Sequence, residues 1–247
     1  VPVKTDWEIA VTLENILKAE SGGRKRREVS PHLKSIYEEV IQMGTKLLEP
    51  KLLYEKFPVK RIAEEVVELE GGHQFHSSHL AKFLDGAAEL VVMCRTIGPH
   101  LEAQIKEWQQ TDMMKAFILD TVGSVAMSNL GRQSFKHLEA ELANQGLETS
   151  VAMSPGQLDW NLTDQGTVFE LLQPGQIGVS LNPSFIMTPI KSSTAVFGIG
   201  DGLAAKRDGI PCTKCSRREE CNFRKDLDDH GISGSASGGS STSECIL

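Results

Sequence analysis

The sequence predicts an α+β fold, on three observations. Helical patterns come mainly first in the chain. The recognisable strands do not alternate with helices in the manner of a doubly wound sheet. The chain has 247 residues with 40% apolar content, enough to bury a sizeable core as one large or two small domains.

Thr5-Asp-Trp-Glu8 reads as a capping box, and Ile9, Leu13, Ile16 and Leu17 continue it as an apolar stripe, so a first helix is expected from there to Gly22-Gly23. Ser30 followed by Pro31 is an N-cap and a first-turn proline. Leu33, Ile36, Tyr37, Val40 and Ile41 then give the buried face of a second helix, expected to pair with the first as a hairpin. Residues Leu52 to Leu69 mix helix and strand periods and predict neither. Ser77-Ser78 opens a short helix with Leu80, Phe83 and Leu84 inward, and Glu89 to Arg95 reads as a buried strand in which Cys94 is a small apolar core thiol. Thr96 to Pro99 turns the chain into a helix through Trp108. Met114, Phe117, Ile118, Thr121, Val122 and Val125 mark a long helix closing near Gly146.

The run from Met153 to Gly200 carries the most information. It combines a Ser154-Pro155-Gly156 turn followed by Asp159-Trp160, a short amphipathic helix TVFELL, and two apolar strands split by a polar loop from Asn182 to Ser193. That loop holds Asn182, Ser184, Lys191, Ser192 and Ser193 beside Met187 and two prolines, a composition suited to contacting something. An ordinary crossover with solvated polar groups is the competing reading. Asp120, Gly123 and Ser124 lie in the long helix, whose small residues allow another backbone to approach; helix packing alone explains them as well.

These segments resemble the activation domain of vitamin B12-dependent methionine synthase, best over Leu119 to Gly200 and more weakly back to Leu69. In that family an Arg-x-x-x-Gly-Tyr turn grips S-adenosylmethionine, and a segment of the form Leu-Thr-Glu-Ser…Met-x-Pro…Ser-Val-Ser-Gly follows. Here the corresponding loop reads SLNPSFIMTPIKSSTAVFG and the turn glycine is Gly156, with Ala152 in place of the arginine and Gln157 in place of the tyrosine. An arginine fork binds a carboxylate bidentately and alanine cannot, so the S-adenosylmethionine grip is incomplete. The turn is more similar to that of free-standing relatives found beside corrinoid methyltransferases, which tend to carry a C-terminal cysteine cluster. The resemblance implies a twisted antiparallel sheet flanked by helices, and cofactor contacts at Asp120, Ser154, Pro155, Gly156, Asp159, Asn182, Ser184, Met187, Lys191 and Ser192.

Cys212, Cys215 and Cys221 form a C-x2-C-x5-C array after Pro211, with Cys245 as a candidate fourth ligand. Two thiolates at C-x2-C spacing turn toward one metal or cluster face and a third completes three corners, which points to an iron–sulfur cluster or a zinc ion. Lys214, Arg217, Arg218 and Arg224 surround them with positive charge that favours thiolate. A reduced or redox-active cysteine trio is the competing reading. His73, His76 and His79 recur every third residue, but Gly71-Gly72 and Ser77-Ser78 make them a loop entering a helix more than a metal site. GIGDG at 198–202 lacks dinucleotide-fingerprint spacing and reads as a turn.

The organisation expected is one main domain over 1–205 whose part to about residue 50 is helical, a cysteine-bearing segment over 206–230, and a Gly/Ser-rich tail over 231–247 that buries too little apolar surface to order itself. Its terminal Cys-Ile-Leu is one residue short of a prenylation box. A net charge of −7 argues against a nucleic-acid partner, and the basic run Arg24 to Arg27 reads as a solvated loop. No apolar stretch approaches the ~20 residues that span a bilayer. Cytoplasmic placement is expected, with no signal-peptide pattern at the start.

Together these readings make a corrinoid reactivation factor the first expectation. The loop would cap cobalamin carried by a partner corrinoid protein or methyltransferase, and a cysteine-bound cluster would pass an electron from a donor such as ferredoxin or flavodoxin. Two alternatives stand beside it: a non-catalytic adaptor with structural zinc, and S-adenosylmethionine-dependent methylation of cobalamin.

Overall fold

The computed structural model describes residues 2–21 and 29–203. The basic run Arg24 to Arg27, the candidate ligands Cys212, Cys215, Cys221 and Cys245, and the Gly/Ser-rich tail lie outside the described residues.

The chain opens with a short strand β1 (Val3–Lys4), and α1 begins only at Leu13, running to Ser21. The capping box expected at Thr5 does not form. Asn129 Nδ2 donates to the Ala10 carbonyl at 2.7 Å and Gln133 Nε2 to the Glu8 carbonyl at 2.8 Å, so distant side chains take acceptors that a helix would use internally. Thr12 caps the helix instead, its Oγ1 accepting from the Asn15 amide at 3.2 Å. The second helix, α2 (Pro31–Lys46), starts where the sequence predicts, with Ser30 accepting from the Leu33 amide and Pro31 in the first turn. Both helices rest mainly on the long helix described below. Tyr37 donates to Glu20 at 2.6 Å and ties them to each other.

The ambiguous stretch after residue 50 is a β-hairpin, β2 (Lys51–Ile62) and β3 (Val66–Leu69). Pro58 explains the mixed pattern: β2 pairs with a central strand up to Pro58 and with β3 from Val59 onward, so the proline stands where the ladder changes partner. There follow β4 (Gln74–His76), α3 (Ser78–Leu84), β5 (Glu89–Thr96), α4 (His100–Thr111) and α5 (Met113–Ala143). Ser77 caps α3, its Oγ accepting from the Leu80 amide. Asp112 caps α5, accepting from the Lys115 amide at 3.1 Å.

The rest of the domain comprises β6 (Glu148–Thr149), α6 (Gln165–Leu172), β7 (Ser180–Leu181), β8 (Met187–Thr188) and β9 (Ser192–Gly200). The apolar strand expected just before the polar loop is reduced to the two residues of β7. Pro174–Ile177 forms a 3-10 turn there, bounded by left-handed residues Gln173 (φ 52°) and Gly178 (φ 80°), which no strand accommodates. The GIGDG segment is also split: Gly198 to Gly200 finish β9, and the turn begins at Asp201.

The main sheet has the order β4-β3-β2-β5-β9-β6, with β1 paired to β2 and the neighbours antiparallel throughout. This is the α+β architecture expected. Its central strand β5 is buried on both faces. Leu90, Val92 and Cys94 pack with α3, α6, Phe75 and Trp160, while Val91 and Met93 pack with Phe135, Leu138 and Leu142 of α5. Burial of large apolar side chains at roughly 1.5–3 kcal/mol each makes these two layers the main stabilising contribution. The first half of α5 faces α1, α2 and α4 in a separate helical core. Serving both cores, α5 buries residues around its circumference, yet Met114 and Phe117 of its expected apolar stripe are exposed (45% and 61%). Among the described residues no helix is long and apolar enough to cross a membrane.

Candidate functional site

The loop between β7 and β9 is shaped mainly by its own residues. Asn182 Oδ1 accepts from the amides of Ser184 (2.9 Å) and Ile186 (3.0 Å), closing a turn that forces Phe185 to a φ of 61°. β7 and β8 pair as a two-residue ladder, Ser180 opposite Thr188 and Leu181 opposite Met187. Ser184, Ile186 (51% exposed) and Ile190 (69% exposed) face outward, while Pro189, Ser192 and Ser193 are buried.

Inside the loop, Met187 leans on α6. Gln165 Nε2 donates to its sulfur at 3.3 Å, and the Gln165 carbonyl oxygen accepts from Thr194 Oγ1 at 2.9 Å. Gln165 is buried and links helix, loop and strand through one amide. Sequence reasoning missed it, because a glutamine in a first helical turn carries no local signal of burial.

Lys191 anchors the other end. Its Nζ lies 2.9 Å from Asp120 Oδ1 and donates to Ser124 Oγ at 2.8 Å, its amide donates to Glu102 Oε1 at 2.6 Å, and its carbonyl accepts from the Ile97 amide at 3.2 Å. Asp120 and Lys191, both expected near a cofactor, are thus brought together. Glu102 is a third partner that nothing in the sequence pointed to. Ser192, the next residue, donates to Thr96 Oγ1 at 3.0 Å inside the fold.

The Ser154-Pro155-Gly156 turn is stitched to β9. Met153 and Val196 exchange backbone hydrogen bonds at 2.9 and 2.7 Å, and Ser154 Oγ donates to the Thr194 carbonyl at 2.6 Å. Gly156 has a φ of 92°, as the tight turn requires, and its amide donates to the Trp160 carbonyl at 2.8 Å. Ala152 is buried, and Gln157 Oε1 accepts from the Ser154 amide at 3.0 Å, so the side chain at the family's tyrosine position braces the turn.

Asp159 reaches away from that turn to the start of α3. It accepts from Ser77 Oγ (2.6 Å), the Ser78 amide (2.8 Å) and Ser78 Oγ (2.7 Å), and its Oδ1 lies 2.9 Å from His79 Nδ1. Burial alone raises the carboxyl pKa, but the hydrogen bonds from Ser77, Ser78 and His79 more than reverse this and hold it well below the ordinary carboxylate range. Asp164 does parallel work, accepting from Trp160 Nε1 at 2.9 Å and the His76 amide at 3.0 Å. The three histidines therefore diverge: His79 meets Asp159, His73 lies 3.7 Å from Glu170, and His76 contributes its backbone. Among the described residues no group of three or more His, Cys, Asp or Glu is placed to hold a metal.

Ten candidate contacts thus fall into three places. Asn182, Ser184, Met187, Lys191 and Ser192 belong to the loop and its root, with Asp120 docked on that root. Ser154, Pro155 and Gly156 form the adjoining turn on β9. Asp159 lies at the β4–α3 corner.

No protein-family model and no curated protein matches the chain. Among solved structures, the chain is similar to the MetH reactivation domain bound to AdoHcy, with a TM-score of 0.51 and 19% identity over 81% of this chain and 71% of that one. At that identity the likeness speaks to architecture. The chain has the fold of a methionine synthase activation domain, a mixed helical and antiparallel α+β domain of the kind seen in the MetH reactivation domain.

Proposed function

We propose that this protein is a reactivation factor for a corrinoid protein, docking the loop at 182–193 over cobalamin carried by a partner methyltransferase system. The single observation that carries the reading is the likeness to the MetH reactivation domain, combined with a preformed loop that turns Ser184, Ile186 and Ile190 outward beside a rigid sheet. A preshaped loop loses little conformational entropy on docking. The exposed isoleucines suit a flat macrocycle face, and Ser184 suits its polar rim.

Reactivation returns cob(II) to cob(I), a one-electron step that needs a donor. When bound by Cys212, Cys215, Cys221 and Cys245, an iron–sulfur cluster would relay that electron from a reduced ferredoxin or flavodoxin; zinc in the same place would serve only as a staple. Anaerobic iron, zinc and sulfide analysis with an ultraviolet–visible spectrum, repeated on Cys212→Ala, tests this part. Brown protein with iron and sulfide near stoichiometry supports electron relay. Colourless protein with one zinc turns the reading into an adaptor.

The AdoHcy held by the neighbouring structure favours one further reading, methylation of cobalamin from S-adenosylmethionine. Buried Ala152 supplies no guanidinium fork for the ligand's carboxylate, so calorimetric titration with S-adenosylmethionine is expected to show no saturable heat. Saturable binding would establish a ligand site built without that arginine.

A further inference from the structure

We infer that Lys191 is a positioning residue of the docking loop, at its root, and that Gly123 leaves the space that lets it reach its seat. This rests on the function proposed above and assigns the part of the protein that sets where the docking surface stands.

The tip of the loop, from Asn182 to Ile186, is closed upon itself, so its shape does not determine its distance from the rest of the domain. That distance is set where the loop meets the domain, at Met187, whose sulfur accepts from Gln165 of α6, and at the root. Lys191 uses its ammonium on Asp120 and Ser124, its amide on Glu102, and its carbonyl on Ile97, so groups from α4, α5 and the end of β5 converge on one residue. Its side chain is only 14% exposed, although Asp120 is 56% exposed. To reach Ser124 the stem must cross α5 at Gly123. A Cβ added there would lie 3.0 Å from Lys191 Cε and 3.0 Å from Leu101 Cδ2, closer than side chains normally pack. Leu101 is fully buried, so it yields little and the displacement falls on Lys191. The glycine therefore has a use beyond helix packing, and its lower helix propensity is retained in the middle of a long helix.

The ammonium accounts for the electrostatic part of this anchor and the slot for the steric part, which makes them separable. Lys191→Met keeps an unbranched stem and removes the charge. Gly123→Ala keeps the charge and fills the slot.

Amide hydrogen exchange on the full chain reads the anchor without any partner. In Lys191→Met, amides of residues 184–188 and of Ile190 are expected to exchange about tenfold faster, with β5 amides unchanged. Gly123→Ala is expected to act in the same direction and less strongly. In the wild type, exchange of the loop is expected to rise between about 0.05 and about 0.5 M salt, because Asp120 stands at the surface, while Lys191→Met shows no such rise. A merely structural methylene contact would not give that salt dependence. Unchanged exchange in Lys191→Met, or a wild-type loop indifferent to salt, overturns the inference. Binding to a corrinoid protein loaded with cob(II)alamin then tests the consequence. Weakening of about tenfold in Lys191→Met supports it, and wild-type affinity in a variant whose loop exchanges faster overturns it. Absence of wild-type binding overturns the proposed function while the exchange result still decides the anchor.

Discussion

Asp159 accepts a 2.6 Å hydrogen bond from Ser77, a residue 82 positions earlier in the chain. The contact makes one carboxylate from the loop before α6 into a cap for the first turn of α3. Ser77 keeps its own capping bond to the Leu80 amide at 3.0 Å, so the helix start is held from two directions.

Asp159→Asn is expected to lower stability by roughly 1 kcal/mol at neutral pH, the scale of a helix cap. The pH dependence has a definite sign. Because the folded-state pKa is depressed, the contribution is present in full above the ordinary carboxylate pKa of about 4 and is lost as pH falls through the folded value. Thermal melts of wild type and variant should therefore differ at pH 7 and converge in acid, below about pH 4. A gap that persists unchanged into strong acid would show that the charge is not what matters.

Gly98→Ala is expected to destabilise by about 1–3 kcal/mol. Gly98 has a φ of 81°, and a Cβ there would stand 2.8 Å from Glu49 Cβ, where no flexible side-chain end can move aside. Chemical denaturation measures the loss. An unchanged midpoint would mean that the β5–α4 corner relaxes freely.

Cys94 should be inert in the native protein. Burial pushes its thiol up to about 12, and its side chain contributes to the core between β5, α3 and α6. Iodoacetamide at pH 8 followed by peptide mass spectrometry should leave Cys94 unlabelled until denaturant is added. Labelling under native conditions would place the thiol within reach of solvent.

Ile186→Asp and Ile190→Asp should leave stability within about 0.5 kcal/mol of wild type, since both side chains are largely in water. The same changes should weaken binding to a cob(II)-loaded corrinoid protein by about tenfold or more, through the cost of desolvating a charge at the contact. If binding is measurable and neither substitution affects it, the loop is not the docking element.

Much of this domain could be read before folding, because the relevant forces are local. The starts of α2 and α3 follow from Ser30 and Ser77, each of which bonds an amide three residues ahead, and β5 follows from an unbroken apolar run buried on two faces. The α1 start could not be read in this way. Thr5 carries a good cap signal, yet Asn129 and Gln133 of α5 claim the carbonyls behind it, and those partners lie more than a hundred residues away.

The sequence by itself determined the α+β class, through the order of its helical and strand patterns, and the polar loop at 182–193 and the cysteine array from Cys212 to Cys221, through patterns within a few neighbouring residues. Tertiary structure alone decided which groups in that loop are spent internally and which face outward. Lys191, expected in the sequence as a cofactor contact, becomes a largely buried strut on Asp120, whereas Ile186 and Ile190, about which the sequence pattern says nothing, are half or more exposed. The reason is geometric: a side chain's partners are set by which elements the sheet order brings beside it, and that order depends on long-range packing that no short window of residues contains.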